Sequence, residues 1–292
     1  MPALTPKVVK RRIKSIANTR KITKAMELVS AAKMRRAVSS AVATRSFAHL
    51  SWEMISAIAK RHRNLEHPLL RENAEAQKTL LVLFTADRGL AGGFNANMLR
   101  ALAKHESDTP LEAIAIGRRG ADALVRRGIP VISRFEGFTN KPRFADLLPI
   151  GREIIENYKK RTYRKVIIAY TDYVSGLVQK PRIYTLLPFS KPDIVPNGTE
   201  DDAMALKESL FEPSSTAVLE RTLPRLVETM LYQALLESAA SEHSARMVAM
   251  KSASDAAKDM LGDLKFTYNQ IRQAGITREI AEISSGAAAI AS

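Results

Sequence analysis

The segment MKSASDAAKDMLGDLKFTYNQI, residues 250–271, decides the fold because its core-forming side chains recur at a coiled-coil spacing. The positions that carry this pattern lie alternately four and three residues apart: Met250, Ser254, Ala257, Leu261, Leu264, Tyr268 and Ile271. A seven-residue period of this kind is typical of a helix that packs one stripe of its surface along another helix. The segment therefore predicts a long helix and requires a second long helix as its partner.

The distribution of proline and glycine identifies that partner. Proline is absent between Pro6 and Pro68, the first glycine is Gly89, and no proline follows Pro224. The stretch 68–224 holds 11 of the 13 prolines and 10 of the 13 glycines. Because these residues interrupt helices, we predict long helices over residues 7–60 and 216–285. Two such helices in one chain favour an antiparallel coiled coil.

The N-terminal flank carries its own helical pattern of apolar residues. These residues are Val9, Ile13 and Ile16, then, after a skip of six residues, Ile22, Met26 and Val29. We interpret the skip as a local change in the supercoil that does not end the helix. Many alanines and serines between residues 25 and 41 are expected to let the two helices approach closely.

The middle of the chain alternates between strand-like and helix-like patterns. Short β-rich runs lie at residues 79–85, 113–116, 130–133 and 165–170, and a final antiparallel strand is expected at 183–187. Helical patterns lie between several of them, at residues 95–104, 118–127 and 149–160. This predicts a small Rossmann-like α/β domain with a mostly parallel sheet. The expected division is 1–65 for the first long helix, 66–213 for the α/β domain and 214–292 for the second helix.

The charge of the chain is concentrated at one end. The chain carries a formal charge of +15, and residues 1–63 contain 15 Lys and Arg against only Glu27 and Glu53. A helix whose charges are so one-sided predicts a negatively charged partner, which at this point is a nucleic acid, an anionic membrane or an acidic protein loop. We read the basic N-terminus as mature protein because its helical pattern passes residue 40 without a cleavage signal.

Few residues suggest catalysis or metal binding. Cysteine is absent, and the five histidines lack the spacing to carboxylates that a helical metal site needs. The turn DRGLAGGFN, residues 87–95, follows a predicted strand and precedes a helix, but it matches neither common phosphate-binding motif. We therefore assign it a structural role, and this role rests on Asp87, Arg88, Gly89, Gly92 and Gly93. No catalytic, cofactor-binding or metal-binding residue is predicted, and no stretch of eighteen apolar residues exists.

Three separated blocks resemble the gamma-subunit family of F-type ATP synthases, in a form similar to that of bacteria. They are RRIKSIANTRKITKAMELVSAAKMRR at 11–36, the turn at 87–95, and a C-terminal pair, EHSARMVAMK at 242–251 with YNQIRQAGITREIAEISSGA at 268–287. The resemblance runs from end to end of the chain and implies a non-catalytic central-stalk rotor. Such a rotor passes rotation between a membrane ring of c subunits and a catalytic ring of alpha and beta subunits.

The resemblance also implies partners and contact residues. The expected partners are the alpha, beta and epsilon-type subunits and the c ring, at the cytoplasmic face of a bacterial inner membrane and peripheral to it, without nucleic acid. The residues expected to contact the alpha/beta ring are Arg11, Arg12, Lys21, Lys24, Met26, Lys33, Arg35, Arg36, Arg272, Gln273, Thr277, Glu279, Gly286 and Ile290. The alternatives that remain at this point are a nucleic-acid-binding coiled coil and a static scaffold.

Overall fold

The computed structural model describes residues 5–61, 67–105, 107–189 and 215–291. Helix α1 spans Pro6–Arg61 and helix α5 spans Ser215–Ala291, which gives them 56 and 77 residues. At about 1.5 Å per residue these lengths correspond to roughly 85 and 115 Å. Both long helices predicted from the distribution of proline and glycine are confirmed.

The described elements between the long helices alternate as expected. Strands β1 (Thr79–Phe84), β2 (Leu111–Ile116), β3 (Val131–Phe135), β4 (Lys165–Tyr173) and β5 (Gln179–Leu187) are accompanied by helices α2 (Phe94–Lys104), α3 (Arg118–Arg126) and α4 (Phe144–Lys159). The sheet has the order β3-β2-β1-β4-β5, in which only β5 is antiparallel to its neighbour. The end of the predicted α/β domain, residues 190–213, lies outside the described residues.

Each face of the sheet packs against its own layer of helices. On one face, β1 side chains such as Val82 pack with α4 and with the first part of α5, where Leu223 and Leu235 are fully buried. On the other face, Leu83 packs with Met98 of α2 and Leu124 of α3. The result is a three-layer α/β arrangement, as the alternation of patterns predicted. The second long helix therefore begins inside the core of the α/β domain.

The chain forms two compact units, residues 1–29 with 247–292 and residues 30–246. Within the second unit, Gln233 of α5 donates a hydrogen bond to the carbonyl oxygen of Ala41, at 3.2 Å, while Ala37 packs against Ala239 and Ala240. Ala41 comes after Ala37 in α1, whereas its neighbour Gln233 comes before Ala239 in α5. The two helices therefore run antiparallel. The predicted antiparallel pairing is confirmed.

In the first unit, the stripe of α5 predicted from its spacing is the stripe that is buried. Met250, Ser254 and Ala257 are buried, and the next four positions of the pattern, which end at Ile271, are half-buried. Every residue from 272 to 285 is exposed. Gly262 and Gly275 lie within this helix, and a methyl group added at either of them would meet no atom within 4 Å.

The expected skip in the α1 pattern is wrong. Ile22 and Val29 are 60% and 55% exposed, whereas Thr23 and Ser30 are 8% and 3% exposed. The buried stripe continues from Ile16 to Thr23 and Ser30 at seven-residue intervals, without a skip. Thr23 can occupy it because its hydroxyl donates to the carbonyl oxygen of Arg20 in the same helix, at 3.1 Å.

This correction predicts opposite outcomes for two neighbouring substitutions. Thr23→Arg places a charge in the buried stripe and should lower the free energy of unfolding by about 2 kcal/mol. Ile22→Arg, one residue away on the exposed surface, should change it by less than about 0.5 kcal/mol. Urea unfolding of the purified chain, followed by far-ultraviolet circular dichroism, measures both. Equal losses in the two variants would contradict the continuous stripe.

Candidate functional site

The turn at residues 87–95 lies at the carboxyl end of β1 and is built by its own backbone. Leu90 and Gly92 adopt positive φ angles of 62° and 53°, and Asn95 closes the turn by accepting the Ala86 N–H at 3.0 Å through Oδ1. Gly93 is the N-cap residue of α2. The chain thus changes direction sharply between β1 and α2.

Asp87 ties this turn to two other loops. Its Oδ1 accepts the backbone N–H of Arg118 at 3.1 Å, at the start of α3, and its Oδ2 accepts that of Gly137 at 2.8 Å, just after β3. The carboxylate satisfies backbone donors that have no helical partner, which is a common use of aspartate at a helix start.

Helix α5 occupies the crevice where α/β domains usually bind ligands. That crevice lies at the carboxyl ends of the strands, where the strand order changes direction, here between β1 and β4. Ser238 Oγ accepts the backbone N–H of Thr171 at 3.2 Å, and Ser241 Oγ donates to the carbonyl oxygen of Thr171 at 3.1 Å. On the other side, Ala245 packs on a cluster of three residues, Ala86, Ala91 and Phe94. The protein's own helix therefore fills the position of a ligand.

Three charged or titratable side chains of α5 are buried beside the turn. Arg246 pairs with Glu242 at 2.7 Å and donates to the carbonyl oxygen of Gly89 at 3.3 Å. His243 lies between them on the helix, with Nε2 at 3.2 Å from the carbonyl oxygen of Thr139 and Nδ1 at 3.4 Å from Arg246. Since a carbonyl oxygen only accepts, Nε2 carries the proton and Nδ1 accepts from the guanidinium.

The environment of these groups shifts their pKa values in opposite directions from their usual ones. Burial, together with the charge of Arg246, lowers the pKa of His243 from 6.5 to about 4. Burial raises the pKa of Glu242, although the paired Arg246 opposes the shift. His243 is therefore neutral at pH 7, as its hydrogen bonds require.

Nothing in this arrangement resembles a catalytic or metal centre. Across residues 5–61, 67–105, 107–189 and 215–291, no group of three or more His, Asp or Glu side chains is placed to hold a metal ion. None of the helices in those ranges combines the length and apolar character needed to span a bilayer. The chemistry of the site is hydrogen bonding and ion pairing between parts of the chain.

The residues expected to contact a partner lie mostly at the surface. Those that are exposed are Arg11, Arg12, Lys21, Lys24, Arg35, Arg36, Arg272, Gln273, Thr277 and Glu279. Met26 and Lys33 are half-buried, and two of the basic residues have partners within the chain: Lys24 pairs with Glu27 at 3.0 Å, and Lys33 Nζ donates to Asn140 Oδ1 at 3.0 Å. Gly286 and Ile290 fall in the last turns of α5, where only the backbone is described.

Sequence reasoning missed the role of Glu242, His243 and Arg246 within the chain. Their spacing did contain a signal, because Glu242 and Arg246 are four residues apart and suited to pair on a helix. They also follow a run of small residues, 238–241, that is fully buried. A close ion pair next to such a segment indicates a helix that packs against another part of the protein.

Known proteins are similar to this chain over most of its length. Residues 5–290 match a family described as ATP synthase. The ATP synthase gamma chain of Herpetosiphon aurantiacus is 41% identical over 295 residues, and that of Pelotomaculum thermopropionicum is 40% identical over 293 residues. The alignments cover 97% of this chain and 97% of the first protein, and 99% of this chain and 100% of the second.

Solved structures agree on the fold. A chain in the cryo-EM structure of Euglena gracilis mitochondrial ATP synthase, described as OSCP/F1/c-ring in rotational state 3, matches with a TM-score of 0.66 at 19% identity. It covers 98% of this chain and 94% of that one. A chain from the Tetrahymena thermophila central stalk and c-ring structure matches with a TM-score of 0.59 at 22% identity, over 80% of this chain and 99% of that one.

The fold and the site define a class of protein in which two long terminal helices are anchored to an α/β domain whose ligand crevice is filled by one of them. Within that class, the end-to-end sequence identity is decisive. The chain belongs to the gamma-chain family of ATP synthases, and the resemblance seen in the sequence is confirmed.

The hydrogen bonds of Asp87 predict a graded response to substitution. Asp87→Ala leaves two backbone donors without their acceptor and should lower the free energy of unfolding by about 1–2 kcal/mol. Asp87→Asn keeps one acceptor oxygen and should lose less. Although the sequence assigned Arg88 to the turn as well, its side chain is exposed, so Arg88→Ala is the matched control and should have little effect. Thermal unfolding of the three variants tests the order, and an equal effect of Arg88→Ala would contradict it.

The lowered pKa of His243 predicts a loss of stability in acid. Between its ordinary pKa of 6.5 and its folded value of about 4, the unfolded chain binds a proton that the folded chain does not. Stability therefore falls as the pH falls through this range, by an amount on the order of 2 kcal/mol. Glu242 acts in the opposite direction because its pKa is raised.

His243→Gln isolates the contribution of the histidine, because its amide can still donate to the carbonyl oxygen of Thr139. The variant should lose stability less steeply than the parent between pH 6.5 and pH 4. His105→Gln, at an exposed position, should leave the pH dependence unchanged. Urea unfolding at a series of pH values measures the slopes, and identical slopes for the parent and His243→Gln would refute the assignment.

Proposed function

We propose that the protein is the central-stalk rotor subunit of a proton-translocating F-type ATP synthase. The observation that carries this proposal is the continuity of α5. This helix begins in the core of the α/β domain and continues as one helix of a coiled coil. A continuous element of this kind can pass rotation from a domain at one end to a partner at the other. The subunit itself is non-catalytic, and its activity is a property of the complex.

Its partners in this role are the alpha and beta subunits, an epsilon-type subunit and the c ring. The proposed division is residues 1–65 and 214–292 as the helices of the shaft and 66–213 as the foot. The shaft lies within the alpha/beta ring, and the foot lies on the c ring with the epsilon-type subunit. The complex sits at the cytoplasmic face of a bacterial inner membrane, to which this subunit is peripheral.

The exposed charges and apolar residues of the helices support contact with the alpha/beta ring. Arg11, Lys21 and Arg35 are exposed, and basic side chains on one helix favour an acidic partner surface. Outside the buried stripe, Ile276, Ile280 and Ile283 are 48%, 58% and 72% exposed on α5. Aliphatic residues that recur at helical spacing in an exposed segment suit an apolar sleeve. The family assignment gives no support to a nucleic-acid-binding or scaffold role.

The experiment that tests this function is a tagged pull-down from detergent-solubilised membranes, followed by protein identification and an ATPase assay on the eluate. Recovery of the alpha, beta and epsilon-type subunits with ATPase activity is the expected result. Recovery of nucleic acid, or of the chain alone, would overturn the proposal. Salt-dependent binding of the purified chain to DNA, seen as a shift in gel mobility, would also count against the proposal.

Met26 provides a sharper test of the proposed contact. This side chain is half-buried and lies in sequence between Lys24 and Glu27, which form an ion pair; we propose that it faces an acidic loop of beta. Met26→Lys should bind that loop too strongly at one angle of rotation and lower the number of protons pumped per ATP hydrolysed. Met26→Leu, which conserves volume, is the control. Both are measured in membrane vesicles, and normal coupling in Met26→Lys would contradict this placement.

A further inference from the structure

The contacts between α5 and the turns at the carboxyl edge of the sheet have a directional character that the core lacks. The first part of α5 packs on the sheet through aliphatic side chains such as Leu223, Leu226 and Leu235. Apolar contact is non-directional, so it keeps the helix on the sheet but specifies its rotation about its own axis less sharply than a hydrogen bond does. Hydrogen bonds depend on angle and fix such a rotation.

Arg246 supplies one of these directional contacts, and an ion pair within α5 orients it. One arm of its guanidinium pairs with Glu242 Oε1 at 2.7 Å on the same helix, and the other donates to the Gly89 carbonyl oxygen of the turn at 3.3 Å. The two side chains are only 11% and 5% exposed. The guanidinium is planar, and its N–H donors are fixed relative to one another. The bond from Glu242 to one nitrogen therefore fixes the direction in which the other nitrogen donates to the Gly89 carbonyl oxygen.

The loop that follows β3 receives a contact from each long helix. His243 of α5 donates to the carbonyl oxygen of Thr139 at 3.2 Å, and Lys33 of α1 donates to Asn140 Oδ1 at 3.0 Å. Two helices that come from opposite ends of the sequence are therefore bonded to adjacent residues. Asp87 in turn bonds this loop, at Gly137, to the turn that Arg246 contacts.

We infer that these contacts form a joint that sets the rotational position of α1 and α5 relative to the α/β domain, with Arg246 as its main positioning residue. The joint comprises the turn at 87–95, the loop at 137–140, and Lys33, Glu242, His243 and Arg246. All of these residues belong to one compact unit, 30–246. The inference rests on the proposed function: in a rotor, torque between the domain and the helices passes through the joint.

The experiment measures the torsional stiffness of the rotor in the assembled complex with alpha and beta. The chain has no cysteine, so Lys104→Cys on the exposed surface of α2 gives a single attachment point for a bead. The angular fluctuations of the bead, recorded while the enzyme waits for ATP, report the compliance between the α/β domain and the helices held in the ring.

Two variants loosen the joint from different sides. Glu242→Gln with Arg246→Met removes the ion pair without leaving a buried unpaired carboxylate, and Asn140→Ala removes the exposed acceptor of Lys33. The matched control, Glu228→Gln with Arg225→Met, removes another Arg–Glu pair of α5, 3.0 Å apart, whose arginine is 65% exposed. We expect the angular variance to rise roughly twofold in the first variant and less in Asn140→Ala, with the control equal to the parent.

The outcomes separate the joint from the function on which it rests. A parent chain that forms no complex with alpha and beta overturns the proposed function. If the parent rotates and the variance in both joint variants equals that of the control, the joint is refuted. If the ion-pair variant fails to assemble, Asn140→Ala decides alone, since its exposed site carries little risk for folding. Arg246→Lys keeps the charge but loses the planar set of donors, so its angular variance should remain higher than that of the parent.

Discussion

The structure depends on one helix, α5, which passes through three environments in succession: a protein core, a helix pair and an exposed segment. Between residues 226 and 244 almost every side chain of α5 is at least half-buried, because the helix is enclosed by the sheet, by α4 and by α1. From 250 to 271 only one stripe is buried, and from 272 to 285 none is. The residues follow these demands: large aliphatics on the sheet, small residues at the sheet edge, a heptad stripe, then exposed charges and isoleucines. The position of the α/β domain on α5 follows from this order.

Much of the fold could be predicted from the sequence, because helix-breaking residues and the spacing of apolar residues are local signals. The two long helices and the five strands were found to within a few residues, because proline, glycine and β-branched runs act on the backbone where they stand. The α1 stripe was misread because apolar residues were taken as the guide. Thr23 and Ser30 occupy the buried positions, where small size matters more than hydrophobicity, and Ile22 and Val29 were left at the surface.

The site was less accessible, because its contacts join distant parts of the chain. Arg246 and Gly89 are 157 residues apart, and Lys33 and Asn140 are 107 apart. Spacing within a segment does not reveal such pairs. The turn at 87–95 was assigned a structural role because its glycines did not fit a phosphate-binding motif. Its role in holding α5 required the three-dimensional arrangement, as did the finding that α5 fills the crevice which that motif would have served.

Gly262 and Gly275 carry a consequence for the elasticity of the long helix. Glycine in a helix interior costs about 1 kcal/mol relative to alanine, and close packing against a neighbour is the usual compensation. Here a methyl group at either position would meet no atom within 4 Å, so packing of this chain alone does not require glycine. The helix bends more easily at these two points than an alanine-containing helix of equal length. The bending stiffness of α5 is therefore lowest at these two glycines and is not uniform along the helix.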